Sequence, residues 1–113
     1  MDPLQVARDF VDALNAGDVD RVVGCFGRDA VMQNDEGTVF ARGEEAISAH
    51  YGWFMGRSPN LHVEVPARLH VDSWVVQEEH TTGLVLGEPV PDFQILSAYC
   101  VKDGKIVKCI GLQ

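Results

Sequence analysis

Glu78, His80 and Thr82 are the residues of this chain whose types and spacing best fit catalytic chemistry. They alternate along the segment from Trp74 to Leu86, which has the composition of a β-strand. Side chains two apart on a strand point to the same side, and apolar residues flank this polar group. A carboxylate and an imidazole buried together can transfer protons near neutral pH. The spacing predicts an acid–base site with His80 as the base and Glu78 as its orienting partner.

Two other interpretations of these residues stay open. A β-bulge would turn Glu78 and His80 to the other side of the sheet. An interface with a partner subunit would leave them as a surface ion pair. Either interpretation would remove the pair from a catalytic pocket.

His50 is a third candidate for catalysis. It lies on a helical stripe with Ile47 and Phe54, where a histidine is more often part of the core than a catalyst. With Glu78 and His80 it could form a metal site of two histidines and one carboxylate, but the sequence has no local ligand motif such as His-x-x-x-His. We therefore expect acid–base chemistry with no metal and no cofactor, in which Glu78 or His50 orients His80.

Further side chains are predicted to line a substrate pocket. Ser97 and Tyr99 share a strand face with apolar neighbours, while Asn34 and Asp35 follow the first strand in a segment that also fits a plain turn. Proton abstraction next to a carbonyl needs only well-placed acids, bases and hydrogen-bond donors in a dry pocket. The predicted substrate-binding residues are Phe10, Leu14, Met32, Asn34, Asp35, Trp53, Phe54, Trp74, Thr82, Ser97 and Tyr99.

The elements that must position these residues are helices first and strands afterwards. Asp2 can cap a first helix that Gly17 ends, and Asp18 can cap a second helix whose apolar stripe includes Phe26. A third helix is predicted after Gly43. This order of elements favours an α+β fold.

The strands are predicted from alternation and turn signals. Apolar and polar residues alternate from Leu61 to Val71, as in a strand with one side facing water. Further strands are expected over Trp74 to Leu86, Phe93 to Lys102 and Lys105 to Leu112, with Asp103-Gly104 as a two-residue hairpin turn. The sheet should therefore be mostly antiparallel.

Length and charge narrow the class of protein. We expect 113 residues to form one domain over 1–113. The net charge of −8 disfavours nucleic acid and anionic membranes as partners, and the chain has neither a membrane-spanning run nor a signal-sequence pattern. Cys25, Cys100 and Cys109 are odd in number and widely spaced, which predicts reduced thiols. A cytoplasmic protein is expected.

The first third of the chain resembles the nuclear transport factor two-like superfamily. The resemblance is carried by Phe10-Val-Asp-Ala-Leu-Asn-Ala-Gly-Asp18, by Cys25-Phe26 and by Asp29-Ala30-Val31, and it continues in Gly43 to Phe54. This superfamily includes ketosteroid isomerases and SnoaL-like polyketide cyclases. The resemblance implies a cystatin-like cone, with three N-terminal helices packed in a strongly curved, mostly antiparallel sheet around an apolar pocket.

Departures from the ketosteroid isomerase pattern limit what can be transferred. In that pattern, Phe10 takes the place of the oxyanion tyrosine, Asn34 that of the base aspartate and Ser97 that of the second aspartate. Because all three catalytic groups are missing, steroid isomerisation is not expected. Glu78, His80 and Thr82 fall on strand positions that are usually apolar pocket residues in that family, as does His50 on the third helix. The resemblance therefore favours a polar site in the same cavity.

The function predicted from these observations is a SnoaL-like isomerase, cyclase or dehydratase that acts without a cofactor on a hydrophobic, aromatic or polyketide-like carbonyl compound. The alternative is a non-catalytic module of the same fold that binds a small molecule or assembles as a dimer. A homodimer through the convex side of the sheet is expected, because Val75 and Val85 lack an obvious cover and His62, Glu64, Arg68 and His70 give that side a mixed character.

Overall fold

Three helices and a six-stranded sheet make up the part of the chain that the computed structural model describes, residues 2–112. Helix α1 spans Pro3–Asn15, α2 spans Val19–Gly24 and α3 spans Glu44–Arg57. No helix in residues 2–112 is long and apolar enough to cross a membrane.

The predicted strands are present in the predicted order, and β2 and the β5–β6 hairpin are additional elements. Six of them form a single sheet in the order β2-β1-β8-β7-β4-β3, antiparallel except for the parallel pair β1 and β8, and β5 and β6 form a small separate hairpin. The predicted α+β fold with a mostly antiparallel sheet is confirmed. The strands are β1 Phe26–Asn34, β2 Val39–Arg42, β3 His62–Val71, β4 Trp74–Thr82, β5 Val85–Leu86, β6 Glu88–Pro89, β7 Phe93–Lys102 and β8 Lys105–Leu112.

The predicted helix caps are present. The Asp2 carboxylate accepts a hydrogen bond from the amide of Leu4, and the Asp18 carboxylate accepts one from Arg21. These bonds satisfy amides that the first helical turn leaves without partners. Phe26 is a correction, because it begins β1 instead of continuing the second helix.

The core lies between the helices and one face of the sheet. The Phe10 ring of α1 is at its centre, with ring centroids 5.6 Å from Phe26, 5.9 Å from Tyr51 and 5.3 Å from Tyr99. These contacts join α1 to β1, α3 and β7, with the first two near edge-on, as aromatic pairs prefer. The helix-facing side of the sheet is therefore fixed around Phe10.

A bulge in β3 changes which residues face the helices. Glu64 pairs with His80 and Ala67 with Glu78, so β3 has one residue more than β4 between these pairs. Before the bulge Val63 is buried, whereas after it Leu69 is 64% exposed. The prediction that alternation from Leu61 to Val71 keeps one apolar side is therefore wrong beyond the bulge.

The same bulge corrects the residues expected on the outer face, by which we mean the side of the six-stranded sheet away from the helices. Arg68 and His70 pair with Gln77 and Val75, whose side chains lie on the helix-facing side. Val75 is fully buried, so its expected lack of cover is also wrong. Apolar residues that do lie on the outer face are Leu69, Val71, Trp74, Val76, Leu96, Ala98, Ile110 and Leu112.

Strand β4 ends at Thr82, four residues before the predicted end, because Gly83 turns the chain away. Gly83 has φ +74°, and a Cβ there would lie 2.1 Å from the carbonyl oxygen of Asn60. The following hairpin is attached to the end of α3, since the Ser58 hydroxyl accepts a 2.8 Å hydrogen bond from the Val85 amide. This attachment holds residues 83–92 beside the cavity described below.

Two other predicted local features can be compared directly. Asp103 and Gly104 have φ values of 52° and 75°, so the two-residue hairpin turn between β7 and β8 is confirmed. Cys25, Cys100 and Cys109 are free; Cys100 and Cys109 are buried, while Cys25 is partly exposed.

Candidate functional site

A cavity of about 270 Å³ lies between the helices and the sheet. Most of its wall is apolar or aromatic, which is typical of sites that bind small organic molecules. The polar groups in the wall come from α3, β4 and β7. The lining residues are Phe10, Leu14, Met32, Phe40, His50, Tyr51, Phe54, Leu61, Val63, Glu79, Thr81, Leu84, Leu86, Phe93, Ile95, Ser97, Tyr99, Cys109 and Gly111.

Glu79 is the central polar residue of this wall. Only 8% of its surface is exposed. Its Oε1 accepts a 2.9 Å hydrogen bond from the Ser97 hydroxyl, and its Oε2 accepts bonds of 2.5 Å from the Tyr99 hydroxyl and 2.7 Å from the Gln77 amide. A buried carboxylate is costly unless such donors replace water. Three donors therefore compensate the burial of Glu79 and hold its orientation.

Arg68 is linked to the Glu79 carboxylate through the side chain of Gln77. The Arg68 Nε donates a 2.9 Å hydrogen bond to the Gln77 side-chain oxygen, while the Gln77 nitrogen donates to Glu79. The bulge in β3 makes this possible, because it turns Arg68 to the helix-facing side. The chain Arg68–Gln77–Glu79 thus orients the Gln77 amide and places a positive charge behind it, outside the cavity wall.

The two tyrosines near Glu79 keep their protons. Burial is the main cause that raises the pKa of Tyr99 well above its ordinary value, and the Glu79 carboxylate adds to it. Burial also raises the pKa of Tyr51 well above its ordinary value. The Tyr99 hydroxyl therefore acts as a donor to Glu79, and the Tyr51 hydroxyl is a second phenol in the cavity wall.

His50 lies in the opposite wall among aromatic rings. Its ring centroid is 5.7 Å from Phe40, 5.1 Å from Tyr51 and 5.3 Å from Phe54. Burial lowers the pKa of His50, so the imidazole is neutral at pH 7. A neutral imidazole can either donate or accept a hydrogen bond from a ligand.

The mouth of the cavity is apolar. Phe40, Leu86 and Phe93 line it and are also among the exposed large apolar residues. Phe40 comes from β2, Leu86 from the β5–β6 hairpin and Phe93 from the start of β7. A hydrophobic ligand would therefore meet apolar contacts before it reaches Glu79.

Comparison with known proteins gives this geometry a family context. A family model described as a SnoaL-like domain matches residues 7–109. The chain belongs to the SnoaL-like domain family. No curated protein matches the sequence at a significant level.

Solved structures resemble this SnoaL-like domain over nearly its whole length. An uncharacterized cystatin fold protein from Novosphingobium aromaticivorans is 28% identical, with a TM-score of 0.91, covering 100% of this chain and 99% of the other. An epoxide hydrolase of the LEH-like type from M. tuberculosis is 20% identical, with a TM-score of 0.78, covering 97% of this chain and 80% of the other. A candidate polyketide cyclase from Sinorhizobium meliloti is 18% identical, with a TM-score of 0.75 and coverage of 98% and 99%. The last two likenesses establish the fold only.

Seven residues that the sequence analysis placed in a pocket do line this cavity. His50 lies in the cavity wall of the SnoaL-like domain, although not beside His80. Of the predicted substrate-binding residues, six line the cavity: Phe10, Leu14, Met32, Phe54, Ser97 and Tyr99.

The predicted position of Glu78 and His80 is wrong. Their side chains are hydrogen-bonded to each other on the outer face and are 38% and 33% exposed. The odd-numbered residues of β4 face the helices, as the bonds from Ser97 and Tyr99 to Glu79 require. Because side chains alternate, Glu78 and His80 must face away. His50, Glu78 and His80 therefore do not come together as the ligands of a metal ion. Within residues 2–112, no three or more histidine, cysteine, aspartate or glutamate side chains are grouped closely enough to hold one.

Five predicted substrate-binding residues lie outside the cavity wall. Trp74 is on the outer face and Thr82 is exposed, both on the same side of β4 as His80. Trp53 is exposed on α3, where the Arg57 guanidinium lies 4.4 Å from its ring centroid. The Asn34 side chain accepts hydrogen bonds from the Glu36 and Thr38 amides, so the plain-turn interpretation applies to Asn34 and to its neighbour Asp35.

Sequence reasoning missed the most polar part of the wall. Glu79 and Thr81 line the cavity, and Gln77 is buried beside Glu79. Both alternating sets of β4 have polar centres, so periodicity within this strand did not distinguish them. The neighbouring strand contained the useful signal, because Ser97 and Tyr99 share the predicted cavity side of β7 and their hydroxyls need an acceptor from β4.

Proposed function

We propose that this SnoaL-like domain is an enzyme that moves protons on a hydrophobic, aromatic or polyketide-like carbonyl compound without a cofactor, with Glu79 as the base. The observation that carries the proposal is a buried carboxylate in the wall of an apolar cavity, held by three donors. A base in such a place is oriented and shielded from water. Two structural neighbours whose names denote a hydrolase and a cyclase indicate that the fold can support catalysis.

The proposed first step is abstraction of a proton by Glu79. The proton leaves the carbon next to the carbonyl, its electron pair forms a carbon–carbon double bond, and the carbonyl oxygen becomes an enolate. Hydroxyl groups of Tyr51 and Thr81, which line the same cavity, donate hydrogen bonds to this oxygen. Return of the proton to another carbon gives an isomer. Alternatively, attack of the enolate carbon on a second carbonyl of the same substrate closes a ring, and the new alkoxide oxygen takes the proton back from Glu79.

His50 has a supporting part in this proposal. Since burial keeps its imidazole neutral, it can donate a hydrogen bond to the carbonyl oxygen without a full positive charge. Phe40, Tyr51 and Phe54 restrict the orientation of its ring. His50 thus takes the role of a donor in the wall, and not of a partner to His80.

The test uses two adjacent residues that point to opposite sides of β4. Wild-type protein is incubated with 2-acetylnaphthalene and β-tetralone in D₂O, and NMR follows exchange of the protons next to the carbonyl. Glu79→Gln should lower the exchange rate by about 10²–10⁴-fold because the base is lost. Glu78→Gln, on the outer face, should keep the wild-type rate. Equal rates for both variants, or no acceleration by the wild type over buffer, would contradict the enzymatic proposal.

A non-catalytic ligand-binding module is the second candidate. It is favoured by the hydrogen bonding of Glu79, because three protein donors occupy most of the acceptor positions of a carboxylate. In that case the network has a structural and binding role. Saturable ligand binding in the cavity together with exchange rates equal to buffer would select this alternative.

We also propose that the protein forms a homodimer through the outer face. Leu69, Val71 and Leu96 are exposed there to 64%, 59% and 47%, beside Trp74 and Val76. Apolar side chains on one sheet face are typical of interfaces between identical subunits. We propose a cytoplasmic location as well, supported by three free thiols.

A further inference from the structure

We propose that the cavity selects its ligand by the polar end, accepting a neutral or cationic aromatic compound that donates an N–H or O–H hydrogen bond and rejecting carboxylates. This inference rests on the proposed function, because it concerns the same cavity. It narrows the substrate class to neutral carbonyl compounds, in which the acidic C–H next to the carbonyl takes the position on Glu79 that an N–H or O–H takes in a tightly bound ligand. Keto acids of the same size are excluded.

The charge of the wall is the first support. Among the described lining residues, Glu79 is the one with a carboxylate, and none is a lysine or an arginine. His50 adds no charge at neutral pH because burial lowers its pKa. Arg68 lies behind the Gln77 amide and is not part of the wall. A ligand carboxylate would therefore face a buried negative charge with no cation to pair with.

The second support is an open acceptor position on Glu79. Oε2 receives two hydrogen bonds, from Tyr99 and Gln77, whereas of the described donors only Ser97 reaches Oε1. A carboxylate oxygen can accept about two hydrogen bonds. Since Glu79 lines the cavity, an N–H or O–H of the ligand can take the remaining position on Oε1.

The shape of the cavity supplies the rest of the selectivity. Phe10, Phe54 and Ile95 are among the apolar lining residues, so the body of the ligand is surrounded by aromatic and aliphatic carbon. A volume of about 270 Å³ is at the small end for ligand pockets and suits one or two fused rings. The ligand therefore has one polar end and a compact aromatic body.

Four compounds of nearly equal shape test this selectivity: benzamidinium, benzamide, acetophenone and benzoate. They differ in charge and in the ability to donate a hydrogen bond, and their 2-naphthyl counterparts repeat the series with a larger body. Binding is measured at pH 7 by ligand-observed NMR and calorimetry. We expect affinity to fall in the order given, with benzamidinium binding about a hundredfold more tightly than benzoate.

Two variants test whether Glu79 causes this order of affinities. Glu79→Gln should reduce the difference between benzamidinium and benzoate to less than about threefold, because the charge is removed. Glu78→Gln, whose side chain is on the outer face, should leave the wild-type order unchanged. If Glu79→Gln does not fold, the order of affinities for the wild type decides whether the selectivity exists. Ser97→Ala, which opens a further acceptor position on Oε1, should then increase the preference for benzamidinium.

Each outcome has a distinct meaning. Benzoate that binds as tightly as benzamide or benzamidinium overturns the selectivity but leaves the proposed function intact. An order that persists in Glu79→Gln also overturns it. If none of the eight compounds binds the wild type, both the selectivity and the proposed pocket for aromatic ligands are wrong.

Discussion

At the scale of single residues, Glu79 and Glu78 show that neighbouring carboxylates can have unrelated roles. Glu79 is buried and accepts hydrogen bonds from residues of β4 and β7, while Glu78 is hydrogen-bonded to His80 on the outer face. The difference arises from the partners, because only the helix-facing side of β7 offers hydroxyl donors at this level. The interactions of Glu79 should therefore contribute to stability as well as to chemistry.

Removal of one donor should reveal this contribution. Tyr99→Phe leaves Glu79 Oε2 with one protein donor instead of two, so we expect the free energy of unfolding to fall by about 1–3 kcal/mol. Urea denaturation measures the change. Tyr51→Phe is the control, since the Tyr51 hydroxyl is not a donor to Glu79, and it should cost less than about 1 kcal/mol. Equal losses for both variants would argue against a special role of the Tyr99 bond.

High pH should destabilise the protein. Burial raises the pKa of Tyr51 and Tyr99 in the folded state, whereas an unfolded tyrosine ionises near pH 10. Above that pH the unfolded chain releases tyrosine protons that the folded chain retains. The contribution of the two tyrosines to stability is therefore full below about pH 10 and falls above it, by about 1.4 kcal/mol per pH unit for each tyrosine. Denaturation at pH 9 and 11 measures the fall. It should be smaller in Tyr99→Phe, and an unchanged fall in that variant would contradict the assignment.

At the scale of elements, one bulge and one glycine decide how the strands serve the cavity. The bulge in β3 turns Arg68 toward Gln77. Gly83 ends β4 and directs the β5–β6 hairpin toward the end of α3, where Ser58 binds Val85. Both features shape the cavity without contributing a catalytic group.

The close approach at Gly83 can be tested by substitution. Gly83→Ala should reduce the free energy of unfolding by about 3 kcal/mol or more, because its Cβ would lie 2.1 Å from the Asn60 oxygen at a φ that already strains an alanine. Gly87→Ala is a matched control, with φ +89° but no atom within 4 Å, and should cost about 1–2 kcal/mol. Chemical denaturation compares them. Equal costs would mean that the approach to Asn60 relaxes easily.

At the scale of the whole molecule, the two sides of the sheet have different tasks. The helix-facing side forms the core and the cavity, while the outer face has exposed apolar residues around the hydrogen-bonded side chains of Glu78 and His80. A partner subunit on this face would bury those residues and leave the cavity mouth at Phe40 and Phe93 on the other side. The proposed dimer and the proposed ligand site are thus compatible.

A charge placed on the outer face should disrupt the dimer. Leu96→Glu puts a further carboxylate on the outer face, opposite Glu78 and Leu112, so light scattering should give the monomer mass of 12.4 kDa where the wild type gives twice that mass. Trp53→Glu is the control, because Trp53 is similarly exposed on α3, where the new carboxylate lies one turn from Arg57. It should keep the wild-type mass. A wild type that is monomeric at micromolar concentration would contradict the dimer.

The sequence by itself determined the three helices, the long strands and the fold class. Capping aspartates, the apolar spacing in α1, and the Asp103-Gly104 turn act between residues close along the chain, so they can be recognised from local patterns. The resemblance in Phe10 to Asp18 added the family, and β7 was placed with its correct side toward the cavity. The positions of six predicted residues and of His50 in the cavity wall followed from this.

Only the tertiary structure decided which side of β4 faces the cavity. Each side of that strand is apolar at its start and polar further along. The choice therefore depended on hydrogen bonds from Ser97 and Tyr99, eighteen and twenty residues away, and on a bulge in β3. A shift of one residue moves every side chain to the other side of a sheet. For this reason the pattern predicted the strand correctly but placed His80 inside the cavity, although it lies on the outer face, and missed Glu79, which lines the cavity.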